Sequence, residues 1–279
     1  VAPLVDKASR AVKATGRDHL APDVACDLQL PEGLGEQDAE DMLREAMAGA
    51  PIDVAVQRAS GRRKRILIAD MDSTMIDQEC IDELADEICI KAHVAAITAR
   101  SMNGEIAFEP ALRERVALLR GLDEGVVDRI VAERLTLASG GRELVATMRA
   151  GSAWTALVSG GFTVFTTRIG AMLGFDEQRA NTLIVEHGRL TGAVADPILG
   201  REAKAEALRD ISTRLGLTPA DAIAVGDGAN DLDMLSLAGS GVAMHAKPAV
   251  AAQARIRIDH GDLTALLYLQ GYRLAEFAS

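Results

Sequence analysis

The 279-residue chain is long enough for about two domains and a sizeable core. Apolar residues make up 48% and charged residues 25%, a soluble, globular composition that excludes a disordered or fibrous chain. A net charge of −11 argues against nucleic acid and membrane as partners, and an anionic substrate would then need local cations or a metal.

Residues 1 to about 60 read as a small α/β unit. The stretch Val24 to Leu30 alternates, and Pro31-Glu32-Gly33 marks a turn. Asp38 to Met47 has helical periodicity, and Ile52 to Val56 alternates like a second strand. This fragment is a packing appendage or a regulatory or dimerising module, which leaves a homodimer open. The basic run Arg62 to Arg65 leads into Ile66-Leu67-Ile68-Ala69, a short apolar run of the kind found in buried parallel strands. Asp70-Met71-Asp72-Ser73-Thr74 follows, at the strand end where open α/β sheets bind ligands. Two aspartates two apart on an extended chain point the same way and repel unless a cation sits between them.

After Asp72 the pattern turns helical. Ile81, Leu84, Ala85, Ile88 and Cys89 share one helix face, and further helices are expected at 93–101, 109–120, 124–135 and 142–149. Such a block, inserted between the first strand and the rest of a sheet, can cover the strand ends as a cap. Thr155 to Val158 is a second core strand running into Ser159-Gly160-Gly161, with a helix from Phe162 to Leu173. Glycines between strand and helix let backbone amides approach an anion. Leu183 to Leu190 reads as a hairpin, and Lys204 opens a helix, where a lone lysine is usually solvated. Ala222 to Val225 is a third strand, ending in Gly226-Asp227-Gly228-Ala229-Asn230-Asp231, oxygen donors suited to Mg²⁺. Gly241 to Met244 and Ala254 to Ile258 complete a sheet of about five strands. Cys26, Cys80 and Cys89 have no metal-ligand spacing and suggest no disulfide framework; Cys80 and Cys89 are expected in the core, and the cytoplasm is the expected compartment. No signal peptide is expected, although Val1 in place of Met leaves room for preceding sequence.

The order and spacing of the three strand-end motifs, with Lys204 between the last two, resembles the haloacid dehalogenase-like phosphatase superfamily. Asp77-Gln78-Glu79, Gly104 to Phe108 and Leu112 to Val116 are similar to the cap of its phosphoserine phosphatase family, and His245-Ala246-Lys247-Pro248 adds to the match. The resemblance implies a Rossmann-like parallel sheet core (63–76 and 151–279) and a helical cap insertion (77–150); it does not extend to the small N-terminal α/β unit (1–62), which is read from its own pattern. It implies that Asp70 is the nucleophile and Asp72 the acid/base. Asp70, Asp227 and the backbone carbonyl of Asp72 would hold Mg²⁺, with Asn230 and Asp231 in support. Ser159, Gly160 and Lys204 would bind the phosphoryl oxygens. In the cap, Glu79 would meet a substrate ammonium and Arg115 a carboxylate, while Met102 and Phe108 close over the ligand. The activity so implied is hydrolysis of O-phosphoserine, a small-molecule substrate, in the last step of L-serine biosynthesis. The alternatives are a small-molecule phosphotransferase and a phosphate-accepting module without turnover.

Overall fold

The computed structural model describes residues 2–102 and 105–278, with the backbone alone for Met102. The chain opens with α1 (Ala2–Ala11), the hairpin β1 (Gly16–Ala21) and β2 (Ala25–Gln29), and α2 (Glu36–Met47). Both helices pack on each other, burying Ala8, Val12, Leu43 and Met47 in a small core of their own. Two expectations for this unit need correction. α1 was not anticipated, because its few apolar residues are buried only through tertiary packing, against α2 and its neighbours. Ile52 to Val56 is not a strand. It pairs with no ladder; instead the Asp53 carboxylate accepts the backbone N–H groups of Asp259, His260 and Gly261.

The core begins with β3 (Ile66–Ala69), followed by α3 (Cys80–Asp86), α4 (Lys91–Met102), α5 (Phe108–Leu118), α6 (Val126–Glu133) and α7 (Gly141–Ala150). Next come β4 (Trp154–Phe162), α8 (Thr163–Leu173), β5 (Glu177–Asn181), the hairpin β6 (Leu183–Glu186) and β7 (Arg189–Val194), and α9 (Arg201–Arg214). The chain finishes with β8 (Ala222–Gly226), α10 (Leu232–Leu237), β9 (Ser240–Met244), α11 (Pro248–Ala251), β10 (Ile256–Ile258) and α12 (Ala265–Leu269). Six strands form one parallel sheet in the order β10-β9-β8-β3-β4-β5. The sheet therefore has one strand more than expected. The extra strand, β5, reads Glu-Gln-Arg-Ala-Asn; it lies at an edge with a single ladder and carries no apolar run.

β3 is buried on both faces, as its apolar run predicts. Leu67 and Ala69 face a layer with Met148, Leu157, Phe165 and Val225. Ile66 and Ile68 face the other, with Ala156, Leu208, Ile211 and Leu235. Ala69 stands level with Leu157 of β4 and Val225 of β8, so the three segments that follow these positions emerge side by side. That register places the motifs at one site.

In the inserted block, α3 packs on α4 and α6, α4 on α5, and α5 on β7; α7 packs instead on β4, α8 and α12. α3 is shorter than its periodicity suggests. It ends at Asp86, and Cys89 is exposed with φ +59°, so only Cys80 of the two cysteines is a core residue. Among the described residues no helix is long and apolar enough to cross a membrane.

Candidate active site

β3 ends at Ala69, so residues 70–72 are not a strand and the alternation expected of the two aspartates does not hold. The chain turns sharply at Ser73, whose φ of +55° is rare for a residue with a Cβ. Asp70 and Asp72 consequently take different partners. The buried Asp70 Oδ1 accepts the Met71 N–H and lies 2.8 Å from Lys204 Nζ. Asp72 Oδ1 accepts the Cys80 N–H at the first turn of α3 (2.8 Å), where a helix favours negative charge. Its Oδ2 accepts the Ser159 hydroxyl at 3.3 Å. Burial, then the Glu79 carboxylate, pushes Asp72 up to about 6, while the bonds from Cys80 and Ser159 pull it down.

A geometry able to hold a cation forms between Asp70 and two later carboxylates. One carboxylate oxygen each from Asp70, Asp227 and Asp231 lie within 4.8 Å of one another, all buried. Asp231, expected only in support, belongs to this triad. Its Oδ1 lies 2.6 Å from Lys204 Nζ, and its Oδ2 accepts the Gly228 N–H. A Cβ on Gly226 would overlap its carboxylate, so glycine is required there for close approach. Asp227 Oδ1 accepts the Thr74 hydroxyl at 3.3 Å, and its Oδ2 lies 3.8 Å from Lys247 Nζ. Burial pushes Asp227 up to about 7 against the pull of Lys247. Burial and the Asp231 charge also raise Asp70 well above the usual carboxylate range, against the pull of Lys204.

Lys204 is the fourth residue of α9 and is fully buried, not the solvated lysine expected of an isolated one. Burial works against its charge, but the carboxylates of Asp231 and Asp70 outweigh it and raise its pKa. One buried ammonium and one rim lysine leave three clustered carboxylates short of positive charge. Hard oxygen donors in that state fit a divalent metal ion.

Ser159-Gly160-Gly161 is the end of β4, not a separate loop before a helix; α8 starts one residue later than expected, at Thr163. Ser159 is buried, and its Oγ also accepts the Gly161 N–H at 2.9 Å. A Cβ on Gly161 would fall 2.7 Å from Asp72 Oδ2, and one on Gly160 would fall 3.3 Å from the Phe108 ring. Asn230 approaches Gly160 from another side, its Nδ2 3.9 Å from that same position.

The cap contributes the remaining residues. Glu79 is half-buried and accepts the Ser73 hydroxyl at 2.7 Å. Arg115 is buried; its Nε donates to the Ala111 carbonyl and its Nη1 to Thr98 Oγ1 at 3.0 Å. Among the described residues no carboxylate pairs with it. Burial pulls its pKa down, and the Glu79, Asp82 and Asp72 charges pull it up. Phe108 touches Gly160 and Gly200, so the cap rests on the core strand ends. The Met102 side chain and Gly104 lie outside the described residues. Sequence reasoning did not single out Thr98 or Asn181 and gave Ser73, Thr74 and Lys247 no role of their own. Ser73 and Thr74 carried a signal through their place in the Asp70 to Thr74 motif, and Lys247 through the His245-Ala246-Lys247-Pro248 stretch.

The haloacid dehalogenase-like hydrolase family pattern matches residues 67–236. A phosphoserine phosphatase of Albidiferax ferrireducens is 46% identical over 210 residues, covering 74% of this chain and 89% of that protein. One of Archaeoglobus fulgidus is 42% identical over 219 residues, covering 77% of this chain; the chain spans only 63% of that longer protein. Among solved structures, a phospho-aspartyl intermediate analogue of phosphoserine phosphatase superposes with a TM-score of 0.69 at 38% identity, covering 74% of this chain and 98% of its own. Similarity that runs through the sheet, the cap and the strand-end motifs leaves one conclusion: the chain belongs to the haloacid dehalogenase-like hydrolases, within the phosphoserine phosphatase family.

Proposed function

We propose that the chain is a Mg²⁺-dependent phosphoserine phosphatase that hydrolyses O-phosphoserine to serine and inorganic phosphate. The observation that carries this reading is the buried Asp70, held through one oxygen by Lys204 beside two further carboxylates. Phosphoryl transfer asks for positioning and charge stabilisation, and this arrangement supplies both. A relative's solved phospho-aspartyl analogue supports the same chemistry.

In this reading Asp70 attacks phosphorus and forms an aspartyl phosphate as the P–O(serine) bond breaks. Asp72, whose pKa of about 6 suits proton transfer near neutrality, gives its proton to the departing serine oxygen. It then takes a proton from a water that attacks the same phosphorus, and the P–O(Asp70) bond breaks to release phosphate. Lys204, Ser159 and the Gly160 amide bind the phosphoryl oxygens. Asp70, Asp227 and Asp231, with the Asp72 backbone carbonyl, would hold Mg²⁺, which supplies positive charge against the phosphate dianion. Asn230 supports that shell.

Glu79 and Arg115 would take the substrate's ammonium and carboxylate, with Met102 and Phe108 excluding water. The buried guanidinium of Arg115, which meets no carboxylate among the described residues, supports this assignment. The proposed division is a core of 63–76 and 151–279, a cap of 77–150 and an N-terminal unit of 1–62. The unit's separate apolar cluster supports its boundary, while the packing of α7 on β4 argues for ending the cap before Gly141. Three unpaired cysteines accord with a cytoplasmic enzyme, and the open edges of the β1–β2 pair would suit a homodimer. The test is phosphate release across a panel of small phosphomonoesters with and without Mg²⁺. O-phosphoserine is expected to be the best substrate; another monoester hydrolysed far faster, or phosphate passed to an added alcohol in preference to water, would overturn the proposal.

A further inference from the structure

We infer that Asn181 is a positioning residue for the phosphoryl-binding groups, joining the Ser159-Gly160-Gly161 segment to the start of the Lys204 helix. The inference rests on the proposed reaction at this site. Asn181 is the last residue of β5 and is 2% exposed. Along β4 and β5 the register runs Val158↔Arg179 and then Phe162↔Asn181. Four steps on β4 thus match two on β5, so Ser159, Gly160 and Gly161 leave the ladder as a bulge. A bulged backbone needs another partner for its polar groups. The Asn181 side chain provides it: Nδ2 donates to the Gly160 carbonyl at 2.8 Å. The same Nδ2 donates to the Leu199 carbonyl at 3.2 Å, and Oδ1 accepts the Leu199 N–H at 2.7 Å.

Both N–H groups and the carbonyl oxygen of one buried amide are thereby used. The side chain stands in for a strand's peptide group against Leu199. Two residues after Leu199, α9 begins, and its fourth residue is Lys204. Ser159 and Gly160 at one end, and Lys204 at the other, are thus tied through a single side chain that touches neither Asp70 nor the proposed substrate. No carboxylate or aliphatic side chain of that size can make all three bonds. An aspartate keeps the acceptor for the Leu199 N–H but points a second oxygen at two carbonyls.

The test compares Asn181→Ala and Asn181→Asp with the wild type, using turnover, inhibition by inorganic phosphate, inhibition by serine, and thermal melting. A misplacement of about 1 Å near the chemistry costs on the order of 10²-fold in rate. Turnover is therefore expected to fall about 10- to 100-fold in both variants, and phosphate inhibition to weaken several-fold. Serine inhibition, which reports on the cap, should stay within about twofold. Turnover within about threefold of wild type in a folded variant would overturn the inference. So would a loss of all three signals in proportion to the unfolded fraction, or failure of both variants to fold, since each marks a bond that only holds the fold. If the wild type ignores O-phosphoserine, the proposed substrate fails, and the same comparison is read with p-nitrophenyl phosphate and inorganic phosphate.

Discussion

Asp70 and Asp72 are two residues apart, yet each answers to a different neighbourhood. Asp70 meets Lys204 and the other triad carboxylates, while Asp72 meets the first turn of α3 and Ser159. In the proposed reaction Asp72 exchanges the proton, while Lys204 and a bound cation would favour the charged form of Asp70 against its burial. Asp70→Asn keeps the size but loses the nucleophile, so phosphate release by the folded variant should drop by at least about 10³-fold. Multiple turnovers without deamidation back to Asp would refute the assignment. Arg115 calls for a different measurement. Removing the partner of a desolvated carboxylate costs about 2–5 kcal/mol, hence roughly 30-fold or more in affinity. Arg115→Ala should therefore lose kcat/KM on O-phosphoserine far more than on p-nitrophenyl phosphate, which has no carboxylate. Equal losses on both would mean that Arg115 shapes the cap rather than reading the substrate.

At the scale of elements, β3 was legible because four consecutive apolar residues suit a strand buried on both faces, and the structure buries all four. β5 was not, because an edge strand is held by backbone bonds that any sequence can make. The end of β4 lies between these cases. Ser-Gly-Gly was visible as an anion-approach segment after a strand, but the need for glycine at 161 comes from Asp72, an element away. Gly161→Ala would place a methyl 2.7 Å from Asp72 Oδ2. The predicted result is a loss of turnover of about 10-fold or more, since the acid/base group must move. The melting temperature should change little, because the carboxylate can shift toward α3. A large fall in melting temperature with turnover per folded molecule unchanged would contradict this.

For the whole molecule, three carboxylates crowd one buried point in a chain that already carries a charge of −11. A bound divalent ion should relieve that repulsion in the folded state alone. At about 100 times its dissociation constant such a ligand adds about 2.7 kcal/mol, or a melting shift of roughly 5–10 °C for a domain of this size. Chelation should abolish turnover and lower the melting temperature, and added Mg²⁺ should restore both; full activity in metal-free buffer would exclude the site. The sequence by itself determined five of the six parallel strands, the polar motifs at their ends and the family, because apolar runs and closely spaced polar motifs are local signals. Only the tertiary structure decided the rest. Lys204 by itself reads as a solvated lysine until α9 is laid against Asp70 and Asp231, and Asp231, expected only in support, joins the carboxylate triad. Asn181 had no signal at all, since its value lies in two backbone segments that the register of β4 and β5 brings to it. Burial, pairing and close approach are properties of distances between elements, and those distances exist only once the chain has packed.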